Sequence, residues 1–312
     1  MALKLIQSQK ITELIVAPGN AGTAEIGENV PVMADDLDGL LTIAKTRSID
    51  LTVVGPEQPL IDGISELFQR HGLKIFGPSK NAARIEGSKI WSNDLMVKYA
   101  IPTADSVAFS ESTKAIDYAL ARPEGSLVVK ADGPAAGKGV LLPDTYEDLE
   151  IAVKGMLDGA SFGESSSSLL LAERMSGPEV SVFAFLDGET VSAEIAACDY
   201  KRIGEGDTGL NTGGVGAYTP PEFWTDELAD RVRMEILEPT ARALVAENSA
   251  YSGVLYVGLM ITSSGPRVIE FNCRLGDPEC QVLMPKLVND FLEICLAVAE
   301  GRLGQQKVIW SD

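Results

Sequence analysis

Residues 128–140 place two lysines around a glycine-rich turn. Lys130 ends an apolar run, Lys138 lies inside the turn between Gly137 and Gly139, and apolar residues resume at once. Glycines let backbone amides approach phosphate oxygens closely, and each lysine contributes a positive charge. The pattern favours a hairpin loop that covers a polyphosphate, with a purely structural hairpin as the alternative. It is not a Walker A loop, because Gly139 stands where that motif has a serine or threonine.

Residues 267–279 carry oxygen ligands of the kind that a hard cation prefers. Alternation along a strand would place Glu270 and Asn272 on the same face. Magnesium usually takes one or two carboxylates and shares its other positions with phosphate and water. Arg274 follows immediately and can bind a carboxylate or a phosphate through two N–H groups. The segment therefore favours a metal and anion site over the polar face of an exposed strand.

A third segment, residues 199–218, contains six glycines among small polar residues. Glycine-rich sequence disfavours a regular helix or strand, so we expect a long loop here. Ordered long loops inside compact domains are usually functional, and a disordered surface loop is the alternative. The three segments, in a chain whose single histidine is His71, favour phosphoryl transfer by positioning and charge neutralisation over histidine chemistry.

The elements that must position these residues begin with a helix-and-strand alternation in the first third of the chain. This alternation predicts a parallel sheet covered by helices. The predicted strands lie at 14–17, 51–54 and 74–76, and the predicted helices lie at 36–46 and 61–70. Ligands bind beyond the carboxyl ends of such strands, so the loops at 18–23 and 55–59 are candidate substrate loops, with ordinary tight turns as the alternative.

From about residue 105 the pattern favours antiparallel strands with few helices between them. The predicted strands lie at 127–130, 169–173, 180–185, 190–194, 255–262 and 267–273, and a long helical stretch spans 226–248. The turn residues at 263–265 predict a hairpin between the last two strands. The chain is therefore predicted to combine an α/β part with an α+β part.

Composition argues against several classes of function. The chain has 26 Lys and Arg against 45 Asp and Glu, a formal net charge of −19, so we expect no nucleic-acid partner. No apolar run approaches the roughly 20 residues that a bilayer span needs, and the start lacks a signal-peptide pattern. We therefore expect a cytoplasmic protein with no membrane role. The four cysteines are widely spaced and favour neither a zinc site nor disulfides.

Four segments together resemble the signature runs of the phosphoribosylamine–glycine ligase family, also called glycinamide ribonucleotide synthetases, in the family's order and spacing. They are residues 87–89, 128–140, 199–218 and 269–281. The runs at 211–218 and 270–279 are highly specific, and the similarity extends over essentially all 312 residues. The family belongs to the ATP-grasp superfamily.

The resemblance implies an ATP-dependent carbon–nitrogen ligase of purine biosynthesis. ATP would phosphorylate the carboxylate of glycine, and the amine of 5-phosphoribosylamine would attack the acyl phosphate, giving glycinamide ribonucleotide, ADP and phosphate. The implied cofactors are ATP and Mg²⁺ or Mn²⁺, the implied partners are these small-molecule substrates, and we expect a monomer or a weak homodimer. The alternatives are another ATP-grasp carboxylate–amine ligase and a nucleotide-binding but inactive fragment of such a ligase.

The implied fold is an N-terminal parallel-sheet domain, of the pre-ATP-grasp type, followed by a two-subdomain ATP-grasp fold. The implied domains are an N-terminal substrate-binding domain at 1–84, a linker with the first ATP-grasp helices at 85–108, a small lid subdomain at 109–176 and a large catalytic subdomain at 177–312. Relative to the family, the sequence is expected to lack the first strand with its glycine-rich loop and the C-terminal domain.

The resemblance also implies three sets of site residues. The ATP set is Lys89, Lys130, Gly137, Lys138 and Gly139 near the phosphates, Glu173 at the adenine-binding hinge and Glu179 at the ribose. The substrate set is Gly19, Asn20, Glu57, Asp199, Lys201, Asn211, Thr212, Gly213, Gly214 and Arg274. Four of these residues are the implied catalytic residues, namely Lys138, Asp199, Lys201 and Arg274. The implied metal ligands are Glu270 and Asn272.

Overall fold

The computed structural model describes residues 1–133, 139–159, 167–206 and 208–311, and the chain folds into two compact units. Unit 1 comprises Met1–Ala83, Val180–Val257 and Asn272–Asp312, and unit 2 comprises Arg84–Glu179 and Gly258–Phe271. The lid and catalytic subdomains named above remain predictions. Among the helices of the described ranges, none combines the length and the apolarity required to cross a bilayer.

The elements follow one another from a helical start to a helical end. The helices are α1 (Ala2–Leu5), α2 (Ala21–Ala24), α3 (Leu37–Thr46), α4 (Glu57–Asp62), α5 (Ile64–Arg70), α6 (Lys80–Gly87), α7 (Lys89–Lys98), α8 (Ser112–Leu120), α9 (Tyr146–Leu157), α10 (Asp226–Val232), α11 (Glu238–Ala246), α12 (Glu279–Lys286) and α13 (Phe291–Ala299). The strands are β1 (Ile15–Val16), β2 (Glu28–Asn29), β3 (Thr52–Val53), β4 (Ile75–Phe76), β5 (Ser106–Phe109), β6 (Leu127–Ala131), β7 (Val140–Leu141), β8 (Leu169–Glu173), β9 (Glu179–Asp187), β10 (Thr190–Val191), β11 (Ile195–Gly204), β12 (Thr208–Tyr218), β13 (Ser252–Thr262) and β14 (Gly265–Asn272).

The first part of unit 1 contains short parallel strand pairs between helices. β1 pairs with β2, and β3 pairs with β4, both in parallel. The predicted parallel arrangement is confirmed, but it takes the form of two separate two-stranded sheets. Sequence patterning does not predict β2, because both of its residues are polar. An apolar cavity of about 360 Å³ is lined by residues of both pairs, among them Val16 and Val53.

The helix predicted at 61–70 is divided between α4 and α5. Gly63 lies between them with a left-handed φ of 97°, a conformation that glycine adopts without steric cost. His71 is the C-cap of α5, its Nδ1 lies 3.0 Å from the Leu67 carbonyl oxygen, and Gly72 follows with a φ of 71°. His71 is therefore a helix-end residue.

An aromatic cluster forms part of the core of unit 1. Phe76 of β4, Phe185 of β9 and Phe291 of α13 are each at most 3% exposed. Their ring centroids are 6.2 Å apart for Phe76 and Phe185, 6.4 Å for Phe76 and Phe291, and 6.2 Å for Phe185 and Phe291. Aromatic burial of this kind contributes strongly to core stability. The contacts among these rings therefore stabilise the packing of β4, β9 and α13.

The larger sheet has the order β12-β11-β9-β13-β14, with β10 paired to β9. The predicted hairpin between the last two strands is confirmed as β13 and β14. The prediction of a long helical stretch at 226–248 is confirmed as α10, a π-helical turn at Arg233–Leu237 and α11.

The expectation of an irregular loop at 199–218 is wrong. This segment is an antiparallel hairpin of β11 and β12, in which Cys198 lies opposite Tyr218 and Tyr200 opposite Gly216. The ladder has register shifts between Tyr200 and Gly204, where one strand slips against the other. Its glycines include Gly206 and Gly214 at φ of 66° and 116°, so they supply backbone geometry inside a paired ribbon.

Unit 2 is built on a four-stranded antiparallel sheet in the order β5-β8-β6-β7. Side chains on one face of β6, Leu127, Val129 and Ala131, pack with apolar residues of α8 and α9. β6 and β7 pair antiparallel, with Lys130 opposite Val140, so the hairpin predicted at 128–140 is confirmed. Lys130 is the next-to-last residue of β6 and lies between the buried Val129 and Ala131.

Candidate functional site

Lys130 lies at the end of β6 beside strand β14. Its Nζ donates a hydrogen bond of 2.9 Å to the Ile269 carbonyl oxygen. Burial lowers the pKa of Lys130, and Lys89 acts in the same direction, whereas Glu270 and Glu179 act to raise it. A largely desolvated ammonium group with one backbone acceptor has residual capacity to bind an anion.

Lys89 is the first residue of α7, and its Nζ donates a hydrogen bond of 2.9 Å to the Gly133 carbonyl oxygen. Burial lowers the pKa of Lys89, while the charges of Glu270, Asp132 and Glu86 act to raise it. Because Glu270 acts on both lysines, the three side chains form one electrostatic cluster within unit 2. The N-terminus of α7 adds backbone amides and a favourable dipole for an anion.

The carboxylate of Asp132 holds the start of α7 against the end of β6. It accepts hydrogen bonds from Ser88 Oγ at 3.0 Å and from the backbone N–H of Ile90 at 3.2 Å. Ser88 is the N-cap of the same helix, because its side chain accepts the Trp91 N–H. Lys89 therefore has a fixed place next to the glycine-rich hairpin.

The predicted metal ligands occupy alternate positions of β14. Glu270 is exposed, whereas Asn272 is only 8% exposed. Gly258 on the neighbouring strand β13 leaves room for the Glu270 side chain, since a Cβ there would lie 3.4 Å from Glu270 Cγ. Glu270 is thus an accessible carboxylate whose charge acts on two lysines.

The predicted adenine and ribose residues lie at the end of β8 and the start of β9. Glu173 is exposed and forms an ion pair of 3.1 Å with Arg267. Its backbone N–H donates to the Asp105 carbonyl oxygen at 2.8 Å. Glu179 is exposed, and its charge acts on Lys130. Both carboxylates therefore belong to unit 2, as do the two lysines.

The glycine-rich turn of the hairpin is described only at its two ends. Gly139 is buried, and its carbonyl oxygen accepts the Ala131 N–H at 2.8 Å. Gly137 and Lys138 lie outside the described residues.

Arg274 and Glu57 form an ion pair within unit 1, although they are far apart in sequence. Arg274 Nε donates to Glu57 Oε2 at 2.8 Å, and the two side chains are 25% and 31% exposed. Glu57 lies within the predicted substrate loop at 55–59 and is the first residue of α4, so the second half of that predicted loop is helical. The structure thus brings together two predicted substrate residues, and the Arg274 guanidinium has the planar donor geometry that suits a carboxylate or a phosphate.

The β11–β12 hairpin carries most of the other predicted substrate residues. Lys201 Nζ lies 3.9 Å from Asp199 Oδ1, and Thr212 Oγ1 donates to the Lys201 carbonyl oxygen at 2.9 Å. Gly214 packs on Pro278, because a Cβ on Gly214 would lie 2.3 Å from Pro278 Cδ. Asn211 and Gly213 belong to β12. The side chain of Asn211, like the surroundings of Gly213, lies outside what the structure describes.

The remaining predicted substrate residues, Gly19 and Asn20, form a capped turn after β1. Asn20 is the N-cap of α2, and its side chain accepts the Thr23 N–H at 3.0 Å. Gly19 has a φ of 78° and packs on Asn29, so only glycine fits there. This geometry is compatible with an ordinary tight turn. The role of the loop in substrate binding remains a prediction.

Sequence reasoning assigned no role to Asp132 or Glu279. Asp132 follows Lys130 by two residues, a spacing that along a continuous strand would put both on one face and could have drawn attention to it, although β6 ends at Ala131. Glu279 is a carboxylate only 3% exposed, and sequence alone gives no signal of such burial.

Two family profiles match the chain. The profile described as phosphoribosylglycinamide synthetase, N domain, matches residues 1–86, and that described as phosphoribosylglycinamide synthetase, ATP-grasp (A) domain, matches residues 87–280.

Two proteins of known sequence or structure that resemble the chain belong to the same family as the two profiles. The chain is 46% identical over 315 residues to the phosphoribosylamine–glycine ligase of Pasteurella multocida, covering 100% of this chain and 73% of that relative. It matches the crystal structure of phosphoribosylamine–glycine ligase from Thermotoga maritima with a TM-score of 0.80 and 29% identity, over 96% of this chain and 72% of that chain. A biotin carboxylase from Campylobacter jejuni shares the fold, with a TM-score of 0.74 and 17% identity over 99% and 71% of the two chains.

The profiles span most of the sequence, and the ATP-grasp profile includes both lysines, Glu270 and Arg274. An ATP-grasp domain implies ATP binding, and the family implies small-molecule substrates. The chain therefore belongs to the phosphoribosylamine–glycine ligase family, the ATP-dependent ligases of purine biosynthesis.

Proposed function

We propose that ligation proceeds through a glycyl phosphate, with the ATP phosphates held in unit 2 and glycine and 5-phosphoribosylamine held by residues of unit 1. The ligase activity follows from family membership, and the proposal concerns its route and its residues. The observation that carries it is the cluster of Lys89, Lys130 and Glu270, in which two desolvated cations lie near an exposed carboxylate.

Lys89 and Lys130 would bind the phosphate oxygens of ATP. Burial has already removed much of the water from their ammonium groups, so less water would have to be displaced when a triphosphate binds. Lys138 would act from the glycine-rich hairpin, while Glu173 and Glu179 would contact the adenine and the ribose. Because the phosphoryl group needs charge neutralisation rather than covalent help, these side chains would act by position and charge.

A divalent ion is implied by the family, and the donors present suit it. Glu270 and Asn272 offer one carboxylate and one amide oxygen, and within the described ranges no group of three His, Cys, Asp or Glu residues could hold an ion alone. Such a sparse set suits Mg²⁺ or Mn²⁺, which would share its other positions with phosphate oxygens and water. When bound, the ion would neutralise charge on the phosphates.

On the substrate side, Arg274 would bind the glycine carboxylate and then the acyl phosphate. A carboxylate oxygen of glycine would form a bond to the γ-phosphorus of ATP as the bond to ADP breaks. The amine of 5-phosphoribosylamine would then form the C–N bond, phosphate would leave with the C–O electron pair, and the amine would lose a proton. Asp199, Lys201 and the β12 residues would orient the two substrates, and no side-chain nucleophile is required.

Substrate omission tests this proposal. ADP formation by the purified chain should require ATP, a divalent ion, glycine and 5-phosphoribosylamine, the last generated in place from ribose 5-phosphate and ammonia. ADP formation that proceeds equally without glycine would reject it. ADP formation with another amino acid in place of glycine would instead support a different ATP-grasp carboxylate–amine ligase.

We also propose a cytoplasmic protein that is a monomer or a weak homodimer, on the basis of its sequence composition and its small-molecule substrates. Light scattering after size-exclusion chromatography, across a concentration series, measures the molar mass directly. A stable mass above that of two chains would reject this part of the proposal.

A further inference from the structure

Glu279, the first residue of α12, is a carboxylate buried inside unit 1. It is 3% exposed, and among the residues that the structure describes it is the one charged side chain in the buried set. Burying a carboxylate is unfavourable unless hydrogen bonds replace its water, so its surroundings must provide them. The route proposed above gives Glu279 no role.

Two hydroxyl groups donate to one oxygen of the buried carboxylate. Ser181 Oγ of β9 donates to Glu279 Oε1 at 3.1 Å, and Tyr256 OH of β13 donates to the same oxygen at 2.9 Å. The two hydroxyl oxygens lie 2.8 Å apart, and the Tyr256 ring packs on Phe183 with 4.5 Å between centroids. The carboxylate is therefore bonded to two neighbouring strands of the large sheet.

The other carboxylate oxygen faces the turn that follows β14. A Cβ on Gly276 would lie only 2.2 Å from Glu279 Oε2, so the glycine backbone lies directly on the carboxylate. The Cys280 N–H donates to the Gly276 carbonyl oxygen at 3.0 Å and closes the turn. From the hairpin side, Gly214 packs on Pro278 of the same turn. Arg274 begins this turn, two residues before Gly276.

We propose that Glu279 is a positioning residue that fixes the turn at 274–278 and so holds the Arg274 guanidinium beside Glu57 for substrate binding. The carboxylate links the turn to β9 and β13, two paired strands of the large sheet. Loosening this tie displaces Arg274 without altering its charge. The inference rests on the substrate role proposed for Arg274, and it is confined to unit 1.

Tyr256→Phe is the most direct test, because it removes one hydroxyl and retains the ring on Phe183. Tyr251→Phe is the matched control, since Tyr251 is a buried tyrosine whose hydroxyl donates to the Val254 carbonyl oxygen at 2.8 Å, away from Glu279. For each variant, kcat and KM for glycine, the Kd for ATP and the Tm are measured.

We expect Tyr256→Phe to lower kcat/KM for glycine roughly tenfold, because small displacements of a positioning group have large kinetic effects. The Kd for ATP should stay within about twofold, and Tyr251→Phe should lower the Tm comparably while leaving kcat/KM near the wild-type value. Glu279→Gln keeps an oxygen acceptor and should retain more activity than Glu279→Ala.

Equal losses of kcat/KM in the two tyrosine variants would overturn the inference, as would a loss of ATP affinity as large as the loss for glycine. A wild-type chain that forms ADP only with glycine, together with an unaffected Tyr256→Phe variant, rejects the positioning role alone. A wild-type chain whose ADP formation ignores glycine rejects the proposed function instead.

Discussion

At the scale of single residues, the ATP site proposed for Lys89, Lys130 and Glu270 depends on lysines that are partly removed from water. Burial disfavours the charged form of a lysine, and an adjacent carboxylate partly offsets this. Lys130 shows both effects, with burial as the larger one. A partly desolvated ammonium group gains more binding free energy from a phosphate than an exposed lysine would, because less water must be displaced.

Lys130→Met tests this idea, because methionine keeps most of the side-chain volume and removes the charge. We expect the Kd for ATP to rise roughly 10- to 100-fold, the effect of losing a hydrogen bond to a charged group. Stability should change little, since a desolvated charge is removed together with its one backbone hydrogen bond. Isothermal titration calorimetry and thermal melting measure the two quantities.

Lys114→Met is the control for this experiment. Lys114 belongs to the same unit, but it is 67% exposed and forms an ion pair with Glu111 three residues earlier. Its replacement should leave the Kd for ATP unchanged, because exposed pairs of this kind contribute little. An equal loss of affinity in both variants would mean that net charge, rather than position, governs ATP binding.

Sequence reasoning predicted some of these residues for a physical reason. Lys130 and Glu270 lie near the ends of strands, and strand alternation is a local property that the sequence carries. The Arg274–Glu57 pair joins residues separated by 217 positions, and the burial of Glu279 depends on hydroxyls from two other strands. Such contacts are set by the folded topology, so no local pattern predicts them.

At the scale of elements, α7 and β6 form one assembly through Asp132. This carboxylate bonds Ser88 and the first turn of the helix, and Lys89 in turn bonds the residue that follows Asp132. A helix cap that also fixes a binding residue should have two separable effects when it is removed, one on stability and one on ligand affinity.

Asp132→Ala should lower the free energy of unfolding by about 1 kcal/mol, the usual cost of losing an N-cap interaction. It should also weaken ATP binding several-fold, because Lys89 is the first residue of the released helix end. Denaturant titration measures the stability, and calorimetry with ATP measures the affinity.

Thr145→Ala provides the matched variant, since Thr145 caps α9 in the same unit and accepts the Asp148 N–H at 3.1 Å. It should show a similar loss of stability with no change in ATP affinity. If the two variants bind ATP equally well, the link between the α7 cap and the proposed ATP site is refuted.

The β11–β12 hairpin shows where element prediction from sequence fails. Glycine content indicates that a segment is a poor isolated strand, but pairing along the whole ribbon provides hydrogen bonds that outweigh this preference. The positive φ values at Gly206, Gly209 and Gly214 show that the glycines are needed for the shape of the ribbon. Tertiary pairing thus overrides local preference in this segment.

Gly214→Ala should lower both stability and glycine-dependent turnover. The residue has a φ of 116°, and the added Cβ would lie 2.3 Å from Pro278, so strain and overlap together should cost about 1–3 kcal/mol. Gly216→Ala is the control, because a Cβ there meets nothing within 4 Å and its φ is not positive. Equal kcat/KM values for glycine in both variants would show that close packing of the hairpin on Pro278 is unimportant.

At the scale of the whole molecule, one surface carboxylate gives stability a defined pH dependence. Glu300 lies between Lys74 and Arg302, and hydrogen bonds from these two side chains lower its pKa to about 2. Because this pKa is depressed in the folded chain, its stabilising effect is present above the ordinary value of 4.5 and is lost as the pH falls towards 2.

Glu300→Gln should therefore lower the Tm at neutral pH, and the difference from the wild type should shrink as the pH falls below about 4.5. Added salt should reduce the difference, because the group is exposed to solvent. Glu111→Gln, which removes an exposed carboxylate with one lysine partner, should have a smaller effect. A Tm difference that grows on acidification would contradict this assignment.

The parts of the fold also differ in how far the sequence predicts them. Parallel pairs in the first third and antiparallel strands after it follow from residue patterning, and both are confirmed. The division of the parallel strands into two separate pairs, and the compact units composed of distant chain segments, depend on which strands meet. These features come from packing between remote residues.

Oxygen transfer tests the central claim, that ATP activates the carboxylate of glycine. The wild-type chain is supplied with ATP, a divalent ion, 5-phosphoribosylamine and glycine labelled with ¹⁸O in both carboxylate oxygens, and the inorganic phosphate is analysed by mass spectrometry. A glycyl phosphate predicts one ¹⁸O atom in each phosphate released, because the C–O bond breaks when the amine attacks. Release of unlabelled phosphate during formation of glycinamide ribonucleotide would contradict the account.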